Sequence, residues 1–546
     1  MATVVTFGNR NIIEPGVYSQ IKANVSSNPT PFSTGNVLII DTGEGAGFGG
    51  GSGISGDIAN GIDSVYGFDN LSEFRQFVRG GLLWDLAEYL FIPVNGAQGV
   101  PKIFLVKAAI TTAAKITYTF TAGANGGTFA VRCKNEGTAG NGVLGGVGDT
   151  KVRKGYAANL KTGVIDNAKY YIEFTEGTFK GLDSDNDPYD GQAALLCNPI
   201  VIARSPEFIS INELIDWAKG DYSFNARFEL DATTAVIGTG DLVVGDYTAN
   251  NSIKLASGGT DDYSSIAYDS VLASIGEVDY TFVLSLKNAS NAQGVENTKL
   301  LYHITQEAEF KKFMFVGGGN NELAFDQAGG SIEIAQYFDS AYAVVCHSGF
   351  KQNVQFSAQK KIKSSLYHAA LVCGRLAGLQ PQTSGTFKTL RAKEWNHQLT
   401  QSQREIALQA GVLHNRYVPN LGYVINQAIN TLQKNTQLIN PDGTSAEISV
   451  MRIAEQLNKE LVLNMRPIFV GQNLNTASPA DVKAWMEGYL TLKTATRTQD
   501  NLIIRFSNVS VIQKQDYYEI SYNFVPNSPL NKLFITGFIL DANLTA

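Results

Sequence analysis

The chain has 546 residues, 44% of them hydrophobic and 17% charged, with a mean hydropathy of -0.06; that is a globular composition, too long for one core, and roughly three or four domains are expected. Its net charge of -7, from 43 basic and 50 acidic residues, argues against a nucleic-acid partner. No apolar run reaches the roughly 18–20 residues of a membrane span, so no membrane insertion is expected, and the N-terminus lacks the basic start and apolar core of a secretory signal.

Residues 1–20 read as short extended pieces: Val4-Val5-Thr6-Phe7, a polar Gly8-Asn9-Arg10-Asn11, then Ile12-Ile13 and the turn signal Pro15-Gly16. A strand is expected at 36–40, followed by a glycine-rich loop at 43–61. Asn70 and Glu73 are placed as a capping box for a helix carrying Leu71, Phe74, Phe77 and Val78. Gly80-Gly81 breaks that helix, a second carries Leu82, Leu83, Leu86 and Leu90, and a buried strand follows at 102–108. From 111 to about 250 the chain turns strand-like and glycine-rich, with an acidic loop at 183–190 and one helix at 210–219. This reads as a β-rich insertion of one or two small domains in a larger α/β domain.

From about 256 the α/β alternation returns. Helices are expected at 270–275, 297–310 and 332–338, and strands at 280–286, 312–316 and 341–346. The helix at 363–379 is rich in small residues: Ala369, Ala370, Gly374, Ala377 and Gly378. Thr400 with Gln403, and Thr444 with Glu447, have the spacing of capping boxes. The first helix should stop at Gly411; the second should carry Ile448, Met451, Ala454, Leu457 and Leu461 on one side. A strand is expected at 423–430, Ser478-Pro479-Ala480-Asp481 opens another helix, and strands follow at 502–506, 509–512 and 518–525. In the last of these Ile520, Tyr522 and Phe524 alternate with polar residues.

Pro526-Asn527-Ser528-Pro529 separates this unit from an apolar β-type segment at 533–540. Both ends therefore carry strand-like pieces with no obvious partner. Such a strand adds to its own sheet or to the open edge of a neighbour's, where main-chain hydrogen bonds give affinity and alternate side chains give register. A contact of the second kind is heterologous, and its repetition builds a helical polymer.

Chemical motifs are weak. Gly45-x-Gly47-x-x-Gly50 follows a strand but opens no helix, so it lacks the helix N-terminus a dinucleotide site needs. There is no GxxxxGK[ST] and no GxSxG. His303, His347, His368, His397 and His414 show no metal spacing, and Cys133, Cys197, Cys346 and Cys373 form no CxxC. Asp183, Asp185 and Asp187 lack the glycine and distant glutamate of a Ca²⁺ loop; an exposed polar turn is the better reading. No cofactor, metal or catalytic residue is assigned.

Pro15-Gly16-Val17-Tyr18 resembles the opening of contractile phage tail sheath proteins, and residues 71–107 are similar to that family's run of helix, glycine pair and strand. Glu136-Gly137-Thr138-Ala139-Gly140-Asn141 resembles its PGTWGN turn without Trp and Pro; 366–379 resembles its small-residue helix. Asn426–Thr431 resembles its R-x-x-N-T strand without the Arg, and the order of elements over about 385–546 is the family's. The resemblance implies a multidomain α/β fold: a layered α/β core interrupted by a β-rich insertion, an α+β C-terminal domain, and extended N- and C-terminal arms. In numbers these are an arm at 1–20, a discontinuous core at 21–110 with 251–380, an inserted outer part at 111–250, a tube-facing domain at 381–525 and an arm at 526–546.

It further implies a non-enzymatic subunit, made and assembled in the host cytoplasm, that polymerises helically around an inner tail tube. Contraction drives the tube through the target envelope, with baseplate and tail terminator proteins as further partners. Inter-subunit strand exchange is expected of Val4, Val5, Phe7, Ile12 and Ile13 at one end, and of Leu533, Phe534, Ile535, Phe538 and Ile539 at the other. Lys483, Lys493 and Arg497 are the tube-facing candidates. A sheath of a phage-derived injection device, a static surface or fibre protein, and an α/β enzyme are the alternatives.

Overall fold

The computed structural model describes residues 5–7, 10–12, 35–41, 65–78, 81–107, 112–120, 127–134, 140–142, 152–166, 169–180, 200–236, 252–259, 268, 271–276, 278–286, 294–318, 325–353, 360–392, 394–432, 446–472, 477–494, 501–514 and 517–527. The glycine-rich loop, the acidic loop, Thr444 and the segment 533–540 lie outside these.

At the centre stands a seven-stranded sheet, in the order Val412–Leu413, Ala343–His347, Phe313–Gly318, Phe282–Ser285, Val37–Asp41, Ile103–Lys107, Val65–Phe68. All neighbours are parallel except the last pair. Parallel strands are buried on both faces, so they read as apolar runs and their side chains divide between two cores. Val37, Ile39, Phe313, Phe315, Val344 and Cys346 enter one core, against helices Leu71–Phe77, Gly81–Phe91 and Ser365–Ala377. Leu38, Ile40, Met314, Val316, Ala343 and Val345 enter the other, against helices Leu272–Ile275, Gly294–Tyr302, Ser331–Phe338 and Gln401–Gln409. The result is three layers, helix on sheet on helix.

The local signals act as their chemistry demands. Asn70 Oδ1 accepts the Glu73 N–H at 2.8 Å, and Thr400 and Gln403 complete a capping box. Ser478 Oγ accepts the Asp481 N–H at 3.3 Å and donates to its carboxylate at 2.7 Å. Three expectations are corrected. Glu447 itself caps the helix Ile448–Phe469 without a capping box, because Ile429 and Glu447 form a β-bridge that holds this residue out of the helix. The Glu447 carboxylate instead accepts from Ser384 Oγ at 2.8 Å. The strand expected at 423–430 is only Gly422–Ile425; beyond it the chain is fixed by Thr431, whose N–H donates to the Ala343 carbonyl and whose hydroxyl donates to that of Ser340. The expected pair 502–506 and 509–512 is one strand, Ile503–Gln513, bulged where Asn508 takes φ 54.

The insertion leaves the central sheet after Lys107 and is clipped shut at its base. Lys115 N–H donates to the Ser257 carbonyl at 2.8 Å, and Ser257 N–H returns to the Lys115 carbonyl at 3.0 Å. Adjacent ends are what an insertion into a host domain requires. Beside this clip, Asn141 and Gly259 exchange two hydrogen bonds of 3.1 and 3.0 Å. Two four-stranded sheets, one of Ile200–Arg204, Tyr170–Lys180, Val152–Thr162 and Ser252–Leu255, the other built round Gly127–Cys133, share a single apolar core. Tyr118, Phe129, Tyr156, Phe174 and Phe208 are fully buried in it, so the described insertion is one unit.

The end of the chain has its own core. Helices Ile448–Phe469 and Pro479–Thr494 pack on the hairpin Ile503–Gln513/Tyr518–Pro526 around Leu457, Met486, Leu490 and Ile503. The residues between 381 and 432 do not belong to it: Leu390, Trp395, Leu413, Ile425 and Leu432 are buried with the central sheet.

Candidate interaction site

The last hairpin pairs Ile503 with Pro526, Phe506 with Phe524 and Ile512 with Glu519, and among the described residues neither strand pairs with any other. One face is covered: Tyr522 and Phe524 stack at 5.8 Å and pack on the C-terminal core. Elsewhere apolar side chains stand in solvent, Ile504 at 58% exposed and Ile512 at 51%, and Ile520, which the alternation groups with Tyr522 and Phe524, is 37% exposed and outside the C-terminal core. A hairpin with open edges and exposed aliphatic residues is a template for further strands. Its root is fastened where Asn527 N–H donates to the Leu502 carbonyl at 3.0 Å. From that point the chain runs on toward 533–540.

At the other end, Val5–Phe7 and Arg10–Ile12 form a two-stranded antiparallel sheet that pairs Val5 with Ile12 and Phe7 with Arg10. The structure thus brings Val5, Phe7 and Ile12 into one hairpin. Among the described residues it does not join that hairpin to any other sheet. Val4, Ile13, Leu533, Phe534, Ile535, Phe538 and Ile539 lie outside the described residues.

The C-terminal unit is fastened to the central unit through one helix. The helix Ile448–Phe469 begins in the core of the sheet with Ile448 and continues into the C-terminal core with Ile453, Leu457 and Leu461. One stripe of this helix carries Arg452, Glu455, Lys459 and Arg466. Arg452 Nη2 donates to the Leu379 carbonyl at 2.8 Å, Glu455 accepts from Tyr342, Lys459 donates to Asp279 and Arg466 donates to Glu309. Each partner belongs to the central unit.

The tube-facing candidates separate. Lys483 is exposed, 3.8 Å from Glu487 one helical turn on. Lys493 points inward: its Nζ lies 2.7 Å from Glu460 Oε2, with the two side chains only 12% and 11% exposed. Glu460 also accepts from Gln456 Nε2 at 2.7 Å and from the Tyr489 hydroxyl. The spacing held the signal, since Met486, Tyr489, Leu490 and Lys493 fall on one helical face, and the first three are buried. Arg497 lies outside the described residues.

Histidines that are scattered in sequence meet in space. The rings of His347 and His397 lie 6.0 Å apart, and those of His368 and Trp395 4.4 Å apart. His368 Nδ1 faces the carbonyls of His347 and Ser348 at 2.8 and 3.1 Å, so that nitrogen carries the proton, and Nε2 accepts from the Asn415 amide at 2.6 Å. Burial pushes His368 and His414 down to about 4 and His347 to about 3, which keeps all three neutral near pH 7. Among the described residues no three His, Cys, Asp or Glu side chains stand together as a metal site, and no helix is long and apolar enough to cross a membrane.

No protein-family model matches the chain, and no curated protein matches it. Solved structures do. The sheath tail protein of Desulfitobacterium hafniense matches 94% of this chain and 100% of its own length, with a TM-score of 0.56 at 14% identity. This chain has the fold of a sheath tail protein. The sheath tail protein of Listeria innocua is matched over 92% of this chain and 97% of its own, with a TM-score of 0.49 at 13% identity. The helical sheath of the anti-feeding prophage in its contracted state is matched over 49% and 72%, with a TM-score of 0.36. The multidomain α/β architecture expected of a sheath is therefore the architecture found.

Proposed function

We propose that this chain is the subunit of a contractile sheath, which polymerises helically around an inner tube and shortens to drive that tube through a target envelope. The observation that carries this reading is the C-terminal hairpin, whose two strands pair with no other strand among the described residues and whose Ile504 and Ile512 stand exposed. A lone hairpin of this kind is an aggregation hazard unless other strands complete it. The apolar segments at the two ends, Val4–Ile13 and Leu533–Leu540, are the strands available for that purpose. Donated by neighbouring copies to the open edges, they make a heterologous contact that propagates as a helix.

Contraction then asks each subunit to move without unfolding while its arms stay linked. The helix shared by two cores, and the charged stripe that fastens it, favour a central unit and C-terminal unit that travel together. The inner tube faces the exposed side of helix Pro479–Thr494, with Lys483 and Arg497 as the charges that meet it. Baseplate and terminator proteins hold the ends of the polymer. The role is structural rather than catalytic, and the particle is a phage tail or a related injection device.

The test is a chain ended after Asn527. It should remain folded, with an unchanged circular dichroism spectrum, and should form no hollow striated cylinders under negative stain where the full chain does. Regular cylinders from the shortened chain would remove the C-terminal arm from the mechanism.

A further inference from the structure

We propose that Arg416, stacked on the ring of Phe387, and Arg404, on the helix Gln401–Gln409, form a docking surface for carboxylates of a second copy of this chain. Arg416 lies on the strand Asn415–Val418 and stacks its guanidinium 4.3 Å from the centre of the Phe387 ring. Phe387 is 41% exposed and is held at φ 60, the left-handed region that a bulky residue seldom adopts, with its N–H donating to the Ile425 carbonyl at 2.9 Å. The backbone thus holds an aromatic platform at the surface at a cost, and the platform fixes the plane of a guanidinium. Burial holds both Arg416 and His414 below their ordinary pKa values, and the positive charge of Arg404, on helix Gln401–Gln409, adds to that effect.

Among the described residues no carboxylate forms an ion pair with Arg404 or Arg416, while other arginines such as Arg75, Arg132 and Arg227 have one. Arg404 Nη1 donates to the Leu399 carbonyl at 2.7 Å, and among the described residues the buried Arg416 Nε meets no acceptor. A guanidinium stacked on an exposed ring, paired with no carboxylate among the described residues, is arranged for an anion that arrives from outside. A guanidinium fork on an aromatic face matches a carboxylate in two parallel hydrogen bonds, and arginine with an aromatic neighbour is the composition of an interface hot spot.

The occupant follows from charge. The chain itself carries 50 acidic against 43 basic residues, so copies of it present carboxylates in excess and at a fixed repeat once they assemble. The same negative balance disfavours a nucleic acid at this place. This inference rests on the reading of the chain as a self-assembling subunit.

The experiment compares the full chain with the Arg404→Gln/Arg416→Gln double variant. Sedimentation velocity from about 25 to about 300 mM salt reads association, and urea denaturation of each reads folding. The variant should unfold at the same urea concentration, associate at least about tenfold more weakly at low salt, and lose most of the salt dependence seen for the parent. Arg404→Lys/Arg416→Lys keeps the charge but not the fork, and should fall between the two. If the parent assembles and the glutamine variant assembles equally well with the same salt response, this surface is not used between copies. If the parent assembles under no condition, the sheath reading itself fails and this inference goes with it.

Discussion

Gly374 lies directly against the backbone of Leu90: a Cβ added to it would stand 2.5 Å from the Leu90 carbonyl oxygen and 2.8 Å from the Leu90 Cα. The small residues of helix Ser365–Ala377 are therefore a backbone-contact face. The same holds just past its end, where a Cβ on Gly378 would meet the Gln98 carbonyl oxygen at 2.0 Å. Gly374→Ala should lower stability by about 1–3 kcal/mol, because backbone cannot yield as a side chain can. Gly488 is the control. It sits inside helix Pro479–Thr494 with nothing within 4 Å of a new Cβ, so Gly488→Ala should raise stability by roughly 0.5–1 kcal/mol through helix propensity alone. Urea midpoints moving in opposite directions would support this view; a neutral Gly374→Ala would sink it.

Asp85 and Lys363 form a buried ion pair of 2.6 Å between helix Gly81–Phe91 and the strand that leads into the small-residue helix. Tyr367 lies under both, its hydroxyl 3.4 Å from the same carboxylate oxygen and its ring 4.6 Å from the ammonium. Asp85→Asn leaves a buried ammonium without its counter-charge and should cost about 3–5 kcal/mol. Asp85→Leu with Lys363→Met removes both charges and should come much closer to the parent. Denaturation of the three proteins measures the difference, and a double variant as unstable as the single one would refute the assignment.

The buried histidines give stability a direction in pH. His347, His368 and His414 titrate near 3, 4 and 4 in the folded chain, against about 6.5 when unfolded. Below pH 6.5 the unfolded chain takes up protons that the folded chain refuses, so stability falls as pH falls. Their contribution is complete above pH 6.5 and is lost progressively toward pH 4. His368→Gln keeps a hydrogen-bonding side chain but cannot charge. It should flatten the stability–pH slope in that window by about 1.4 kcal/mol per pH unit. An unchanged slope would mean that His368 is protonated in the fold.

The layered core was legible because its signals are local and redundant. Ile39 and Phe315 sit in apolar runs, Asn70 and Thr400 in cap positions, and Gly374 in a row of small residues, and each meets in the structure the partner its chemistry requires. What could not be read depends on distant pairing. Glu447 is taken from a predicted capping box by a bridge to Ile429, and Val412-Leu413 joins the central sheet beside Val345 and Cys346 from nearly seventy residues away. The histidine cluster is of the same kind, since His347 comes from a strand, His368 from a helix and His414 from the link between two strands. The apolar ends were legible as composition, while the C-terminal hairpin, unpaired with any other strand among the described residues, became visible only through its pairing.

Lys493 and Lys483 look alike in sequence, and the structure gives them opposite roles. Lys493 neutralises Glu460, a carboxylate that also holds Gln456 and Tyr489 beneath the stacked ring of Trp485. Lys493→Met would leave that carboxylate buried without its cation, and should destabilise the C-terminal unit by several kcal/mol, of the order of 3–5. Lys483 faces solvent, its contact with Glu487 is long, and Lys483→Met should change stability by no more than about 0.5 kcal/mol. The two variants separate folding from assembly. If helix Pro479–Thr494 meets an inner tube through its exposed side, Lys483→Met should be fully folded yet weaken co-assembly with the tube, whereas Lys493→Met should fail first in urea. Were Lys493→Met as stable as the parent and defective only in co-assembly, the inward ion pair would not be the reason this lysine is there.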